Sequence, residues 1–136
     1  MTIKDTAFAF FDACETGKGW AECAQYCAPD AGFSAQSDAI KDITTTADYC
    51  EWMAGMFGPL PDAHYELTAF AVDEERQIVL GAAIFHGTNT GEGPVPPTGK
   101  KVAANYLYIM RFEGDKLVHL TKIWNDTWSM RELGWA

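Results

Sequence analysis

The first part of the chain carries hydrophobic residues at helical spacing. The positions that recur three and four residues apart in the first segment are Ile3, Ala7, Phe10, Phe11 and Cys14. Thr2 can cap this helix, and the Gly17-Lys18-Gly19 turn ends it. The same spacing predicts a second, short helix from Trp20 to about Cys27. A third helix is predicted from residue 45 or 46 to about residue 57.

From Ala63 onward the pattern changes to the residue types and alternation of strands. The predicted long strands span residues 64–72, 77–90, 101–112 and 116–128, and a short strand and loop are predicted in 31–43. Polar turns predict antiparallel hairpins, and the Pro- and Gly-rich stretch 91–99 predicts a longer loop. Helices followed by strands predict an α+β fold, with three N-terminal helices packed on a curved, mainly antiparallel sheet. We expect one domain spanning residues 1–136.

The strand predicted at 77–90 is hydrophobic on both faces. One face carries Ile78, Leu80, Ala82 and Ile84, and the other carries Val79, Gly81, Ala83 and Phe85. A sheet covered by helices on one side only should have a polar outer face. The pattern therefore predicts a second cover, either another copy of the chain in a homodimer or a loop or C-terminal tail.

Composition limits the partners. The formal net charge of the 136 residues is −9, which disfavours nucleic acid and anionic membrane surfaces. The sequence has neither an apolar run of membrane-spanning length nor the hydrophobic core of a signal peptide. We expect a cytoplasmic protein.

Cys14, Cys23, Cys27 and Cys50 are the four cysteines of the chain. Cys23 and Cys27 are four residues apart on a predicted helix and share a face, which allows metal binding. Neither a histidine nor a second close cysteine pair completes a ligand set in the sequence. Buried, reduced thiols that pack as small hydrophobes are the preferred interpretation, so no metal site is predicted.

Five blocks in the second half resemble the SnoaL-like polyketide cyclase branch of the nuclear-transport-factor-2-like (NTF2-like) superfamily. They are Gly87-Thr88-Asn89-Thr90-Gly91-Glu92, Pro96-Pro97-Thr98-Gly99-Lys100-Lys101-Val102, Met110-Arg111-Phe112-Glu113-Gly114-Asp115-Lys116-Leu117-Val118, Trp124-Asn125 and Arg131-Glu132-Leu133-Gly134. The resemblance implies a cone-shaped fold with a site deep in the cone. It also implies proton transfer by a carboxylate on the last strand, without a metal or organic cofactor.

The sequence departs from the family pattern at two positions. Asn89 stands where the family has a histidine, and Asn125 stands where it has the last-strand aspartate. An amide has no useful basicity near neutral pH, so Asn125 cannot act as the base. Asp126 is the neighbouring carboxylate, but adjacent strand residues point to opposite faces, so only a bulge or register slip would turn it inward.

The resemblance and the alternation together predict a pocket for a small hydrophobic or polyketide-like ligand. Its predicted lining is Phe85, Asn89, Tyr106, Tyr108, Ile123 and Asn125, with Trp52 as cover. His119 is a further candidate donor, whereas His86 is expected on the outer face. Two functions stay open: ligand binding oriented by the two asparagines, or a cofactor-independent cyclase or isomerase with Asp126 as general acid/base.

Overall fold

The computed structural model describes all residues from Met1 to Ala136. Its helices are α1 (Ile3–Glu15), α2 (Gly19–Cys23), α3 (Thr46–Gly55) and α4 (Asp126–Glu132), with two 3₁₀ turns at Ala24–Tyr26 and Asp38–Ile40. Thr2 and Asp5 form a reciprocal capping box at the start of α1, and Thr45 caps α3. No helix is long and apolar enough to cross a membrane.

Five strands form one sheet in the order β1-β5-β4-β3-β2. They are β1 (Cys27–Ala35), β2 (His64–Asp73), β3 (Ile78–Thr88), β4 (Lys101–Glu113) and β5 (Lys116–Trp124). All neighbours are antiparallel except β1 and β5, which are parallel. The sequence-based prediction of an α+β fold with a mainly antiparallel sheet is confirmed.

The N-terminal helices pack on one face of the sheet and enclose the main core. Phe11 of α1 lies against the aromatic side chains of the central strands, with its ring centroid 4.8 Å from that of Tyr108. Gly81 of β3 permits this close approach, because a Cβ at that position would lie 2.9 Å from the ring of Phe70 and 3.3 Å from that of Phe11. Aromatic packing thus fixes the inner face from which the site is built.

The C-terminal region differs from the prediction. The predicted strand 116–128 ends at Trp124, and a fourth helix follows it. Asn125 caps this helix by accepting a hydrogen bond from the backbone N–H of Trp128 at 3.0 Å. Asp126 in the first turn and Arg131 in the last complement the helix dipole. These are sequence signals of a helix, and the strand prediction overlooked them.

The outer face of the sheet is apolar along its centre. Leu80 and Ile123 are 38% and 52% exposed, and Ile84, Leu107 and Ile109 are half-buried. The helices α1 and α3 pack on the opposite face. The two-sided hydrophobic pattern of β3 is therefore present in the fold.

Candidate functional site

A small cavity lies between α3 and the inner face of the sheet. Its volume is about 30 Å³, far below the roughly 300–1,000 Å³ of typical small-molecule pockets. Six of the seven lining side chains are hydrophobic, and the lining set is Trp52, Met53, Met56, Phe85, Tyr106, Lys122 and Trp124. Trp52 and Trp124 are half-buried and their ring centroids lie 5.9 Å apart, so the two indoles form part of the rim.

Lys122 brings a cationic group into this apolar lining. The residue is only 5% exposed, and lysine is rarely buried to this degree without partners. Its Nζ lies 4.7–5.5 Å from the centroids of four aromatic rings, those of Tyr49, Trp52, Tyr106 and Trp124. Aromatic faces attract a cation through their quadrupole, so the rings partly replace the lost water.

A chain of hydrogen bonds joins Lys122 to a buried carboxylate. The Lys122 ammonium donates to the Tyr49 hydroxyl at 2.8 Å, and the hydroxyls of Tyr49 and Tyr108 lie 2.9 Å apart. Tyr108 donates to a carboxylate oxygen of Glu15, which is 1% exposed. Since a phenol has a single proton, Tyr49 must donate to Tyr108. The chain therefore runs in one direction, from the ammonium to the carboxylate.

Burial and charge act in opposite directions on Lys122. Loss of hydration lowers the pKa of the Lys122 ammonium, while the negative charge of Glu15 acts to raise it. The pKa values of the Tyr49 and Tyr108 hydroxyls are raised, mainly by burial. The phenols therefore stay protonated and act as donors near neutral pH.

Tyr106 lines the cavity, and its hydroxyl is buried in the core near Glu15. Neither the hydroxyl nor Oε1 of Glu15 has a hydrogen-bond partner. Burial raises the pKa of Tyr106, and the nearby charge of Glu15 raises it further. Buried polar atoms without partners are costly to the fold.

Some of the predicted pocket residues meet at this cavity. Trp52, Phe85 and Tyr106 line it together. Tyr108 does not line the cavity. It is fully buried, and hydrogen bonds through Tyr49 connect it to Lys122 in the cavity wall.

Asn89 lies elsewhere and has a different set of partners. Its Nδ2 donates to the carbonyls of Pro59 and Gly91, at 3.0 and 3.3 Å. Its Oδ1 accepts from the Thr98 backbone N–H and from the Trp135 indole N–H, at 2.9 and 3.0 Å. The amide therefore ties the 91–99 loop to the C-terminus and does not line the cavity.

The other three predicted site residues also lie away from the cavity. Ile123 points to the outer face and Asn125 caps α4. The Asp126 carboxylate accepts a hydrogen bond from the Ala39 backbone N–H at 2.8 Å. The physical reason is that β5 alternates with Leu120, Lys122 and Trp124 inward, and the chain then leaves the strand. His119 also lies on the outer side, beside Ser34.

Lys122 was not among the predicted site residues. The prediction placed Ile123 and Asn125 on the inner face of β5, because Asn125 stands at the position of the family's last-strand aspartate. The available signal was that the inward neighbours of Lys122 on the same face, Leu120 and Trp124, are both large and apolar.

The sequence matches the SnoaL-like domain family over residues 7–120. The chain therefore belongs to the SnoaL-like domain family. Comparison with curated proteins finds no match.

Solved structures share the fold along almost the whole chain. AclR from Streptomyces galilaeus, named as a candidate hydroxylase, is 21% identical with a TM-score of 0.78, over 98% of this chain and 85% of its own. IdmH from Streptomyces antibioticus, named as a candidate polyketide cyclase, is 21% identical with a TM-score of 0.76. The match covers 98% of this chain and 99% of IdmH. A third structure is a protein with a ketosteroid isomerase-like fold from Catenulispora acidiphila, solved with trimethylamine. It is 16% identical with a TM-score of 0.71, and the match covers 96% of this chain and 93% of that protein.

Proposed function

We propose that this protein binds a small, flat, largely apolar molecule in the inner cavity and that Lys122 pairs with an anionic oxygen of that molecule. The observation that carries the proposal is the position of the Lys122 ammonium, buried among aromatic rings at the wall of an apolar cavity. Apolar walls with a few convergent polar groups are typical of small-molecule sites.

Charge complementarity supports an anionic group on the ligand. The Lys122 ammonium has three protons, and the one hydrogen bond it makes is to Tyr49. The remaining protons lie in an apolar, water-poor environment, where a carboxylate or phenolate oxygen gains more from a charge-assisted bond than it would in water.

The present volume of the cavity requires the site to open. A space of about 30 Å³ admits a water molecule but not an aromatic acid. Trp52 and Trp124 are half-buried and in contact with each other at the rim, so separation of the two indoles would give access. The ligand ring would then stack in the space between the indoles and Phe85.

The second candidate function is proton-transfer catalysis at the same site, as in a cyclase or isomerase. It is favoured by the continuous chain from Lys122 through Tyr49 and Tyr108 to Glu15. Relay of one proton from the Lys122 ammonium through the two phenols to the Glu15 carboxylate would leave a neutral amine, which can take the proton of a carbon acid; the ammonium formed in that step then stabilises the enolate. In this version Lys122 acts instead of Asp126, which lies on α4.

A calorimetric titration with matched probes tests the binding proposal. Benzoate and 2-naphthoate are compared with benzamide and 2-naphthamide, which have the same shapes without the charge. We expect the acids to bind at least tenfold more tightly than the amides, and we expect Lys122→Met to remove this preference. Equal binding of acids and amides by the unmodified protein would overturn the proposal. If naphthoate is bound and a cyclisable polyketide-like substrate is also turned over, the catalytic version is favoured.

A further inference from the structure

Three cysteines from three different helices meet in the core. Cys14 lies in α1, Cys23 in α2 and Cys50 in α3, and all three are fully buried. Their sulfur atoms all lie within 4.8 Å of one another. Cys27 is buried as well but does not belong to this group. We call Cys14, Cys23 and Cys50 the trithiol cluster.

We propose that the trithiol cluster binds one soft, monovalent metal ion of the Cu(I) class. Thiolate sulfur selects soft ions such as Cu(I) over hard ions such as Mg²⁺ and Ca²⁺. A structural Zn²⁺ site takes four protein ligands, and a catalytic one keeps a water molecule in the fourth position. The cluster supplies three ligand atoms in an enclosed apolar core, which suits an ion that accepts three sulfur ligands.

The cluster lies at the junction of the helical layer. It joins α1 and α3 to α2, which has only five residues. An ion bound there would link three elements that otherwise meet through side-chain packing. Binding to the folded state alone would also raise thermal stability, by an amount that grows with the logarithm of the ion concentration. Neither effect depends on a ligand in the inner cavity.

Competition with a coloured Cu(I) chelator tests the proposal. The reduced protein is titrated without oxygen into the Cu(I) complex of bicinchoninate, and loss of the colour measures transfer of the ion. We expect the unmodified protein to withdraw one ion per chain. X-ray absorption of the loaded protein should give three sulfur ligands. Failure to withdraw copper, or a ligand shell of nitrogen and oxygen, would overturn the proposal.

Alanine variants locate the site. Cys14→Ala, Cys23→Ala and Cys50→Ala should each lower the affinity for Cu(I) at least tenfold, because each removes one of three equivalent sulfur ligands. Cys27→Ala is the matched control, since it removes a buried thiol outside the cluster and should leave the affinity unchanged. Far-ultraviolet circular dichroism verifies that each variant is folded. If Cys27→Ala abolishes withdrawal and Cys23→Ala does not, the cluster is not the site. The X-ray absorption result on the unmodified protein stands even if a variant fails to fold.

Discussion

Lys122 and Glu15 form the two charged ends of one buried hydrogen-bonded chain, with the Lys122 ammonium 2.8 Å from the Tyr49 hydroxyl and Tyr108 donating to Glu15. The charges do not touch, but each reduces the cost of burying the other. The network therefore contributes to stability as a unit, and its members should behave non-additively when they are replaced.

Replacing either end alone should destabilise the fold. Lys122→Met leaves the Glu15 carboxylate without its counter-charge, and we expect a loss of about 3 kcal/mol in the free energy of unfolding. Glu15→Gln should cost a similar amount. The double variant Lys122→Met/Glu15→Gln should cost clearly less than the sum, because no uncompensated charge remains. Urea denaturation measures all three.

The exposed Lys101 gives a matched control for this cycle. Lys101→Met should change stability by no more than about 0.5 kcal/mol, as for most surface substitutions. Strict additivity of the two core substitutions would contradict the coupled network.

The buried phenols predict a loss of stability at alkaline pH. The pKa values of Tyr49, Tyr106 and Tyr108 are raised in the folded protein, with burial as the main cause. The unfolded chain releases these protons near its ordinary pKa of 10.0, while the folded protein retains them. Their contribution to stability is thus fully present below pH 10 and falls as the pH rises further. Urea unfolding between pH 8 and 11 measures the slope.

Tyr106→Phe isolates one of these groups. The variant should show a shallower fall in stability above pH 10 than the unmodified protein. The comparison also separates Tyr106 from Lys122, whose lowered pKa makes stability rise with pH up to its ordinary value of 10.5. Tyr26→Phe, outside the core network, is the control. An identical slope in the Tyr106→Phe variant would show that this phenol does not contribute.

Asn125 is predicted to matter for α4 and not for proton transfer. Aspartate caps a helix about as well as asparagine, so Asn125→Asp should retain stability and should not create proton-transfer activity. Asn125→Ala should cost about 1 kcal/mol. Thermal unfolding of the two variants gives the difference. New cyclase activity in Asn125→Asp would place this residue in the site after all.

The uncovered outer face leads us to expect a homodimer. Leu80→Glu would bury a charge in such an interface, so we expect this substitution to shift the protein to a monomer of 15.0 kDa. Leu67→Glu is a matched control, because Leu67 is 40% exposed against 38% for Leu80 but lies near Phe8 and Phe70, away from the outer face. Sedimentation velocity at micromolar concentration distinguishes the forms. A monomeric unmodified protein would refute the dimer.

Periodicity was sufficient for the fold but not for the site. The alternation in β3 and β4 correctly separates inner from outer positions, as Phe85 and Tyr106 illustrate. On β5 the inner face was chosen from the resemblance, which places Asn125 at the family's last-strand aspartate. The structure instead has Lys122 on the inner face, where the charge of Glu15 on α1 offsets the cost of burial. That compensation depends on contacts such as the one between Lys122 and Tyr49, which are 73 positions apart in the sequence.

The roles of the two asparagines that depart from the family pattern could also be assigned only from the structure. Asn89 has a polar side chain of the kind found in ligand sites, but its partners are backbone groups of the 91–99 loop and the indole of Trp135. These partners follow from the return of the C-terminus to the loop, which the strand prediction for 116–128 did not contain. The helix signals at Asn125 and Asp126 were present in the sequence and would have corrected it.

The central claim is that a charged Lys122 contacts the anionic group of a ligand. Nitrogen-15 NMR of the lysine side chains, with Lys122→Met to assign the signal, measures this contact directly. The account predicts that the Lys122 resonance has the frequency of an ammonium at neutral pH and shifts when benzoate is added, but not when benzamide is added. A neutral amine, or benzoate binding that leaves the Lys122 resonance unchanged, would contradict it.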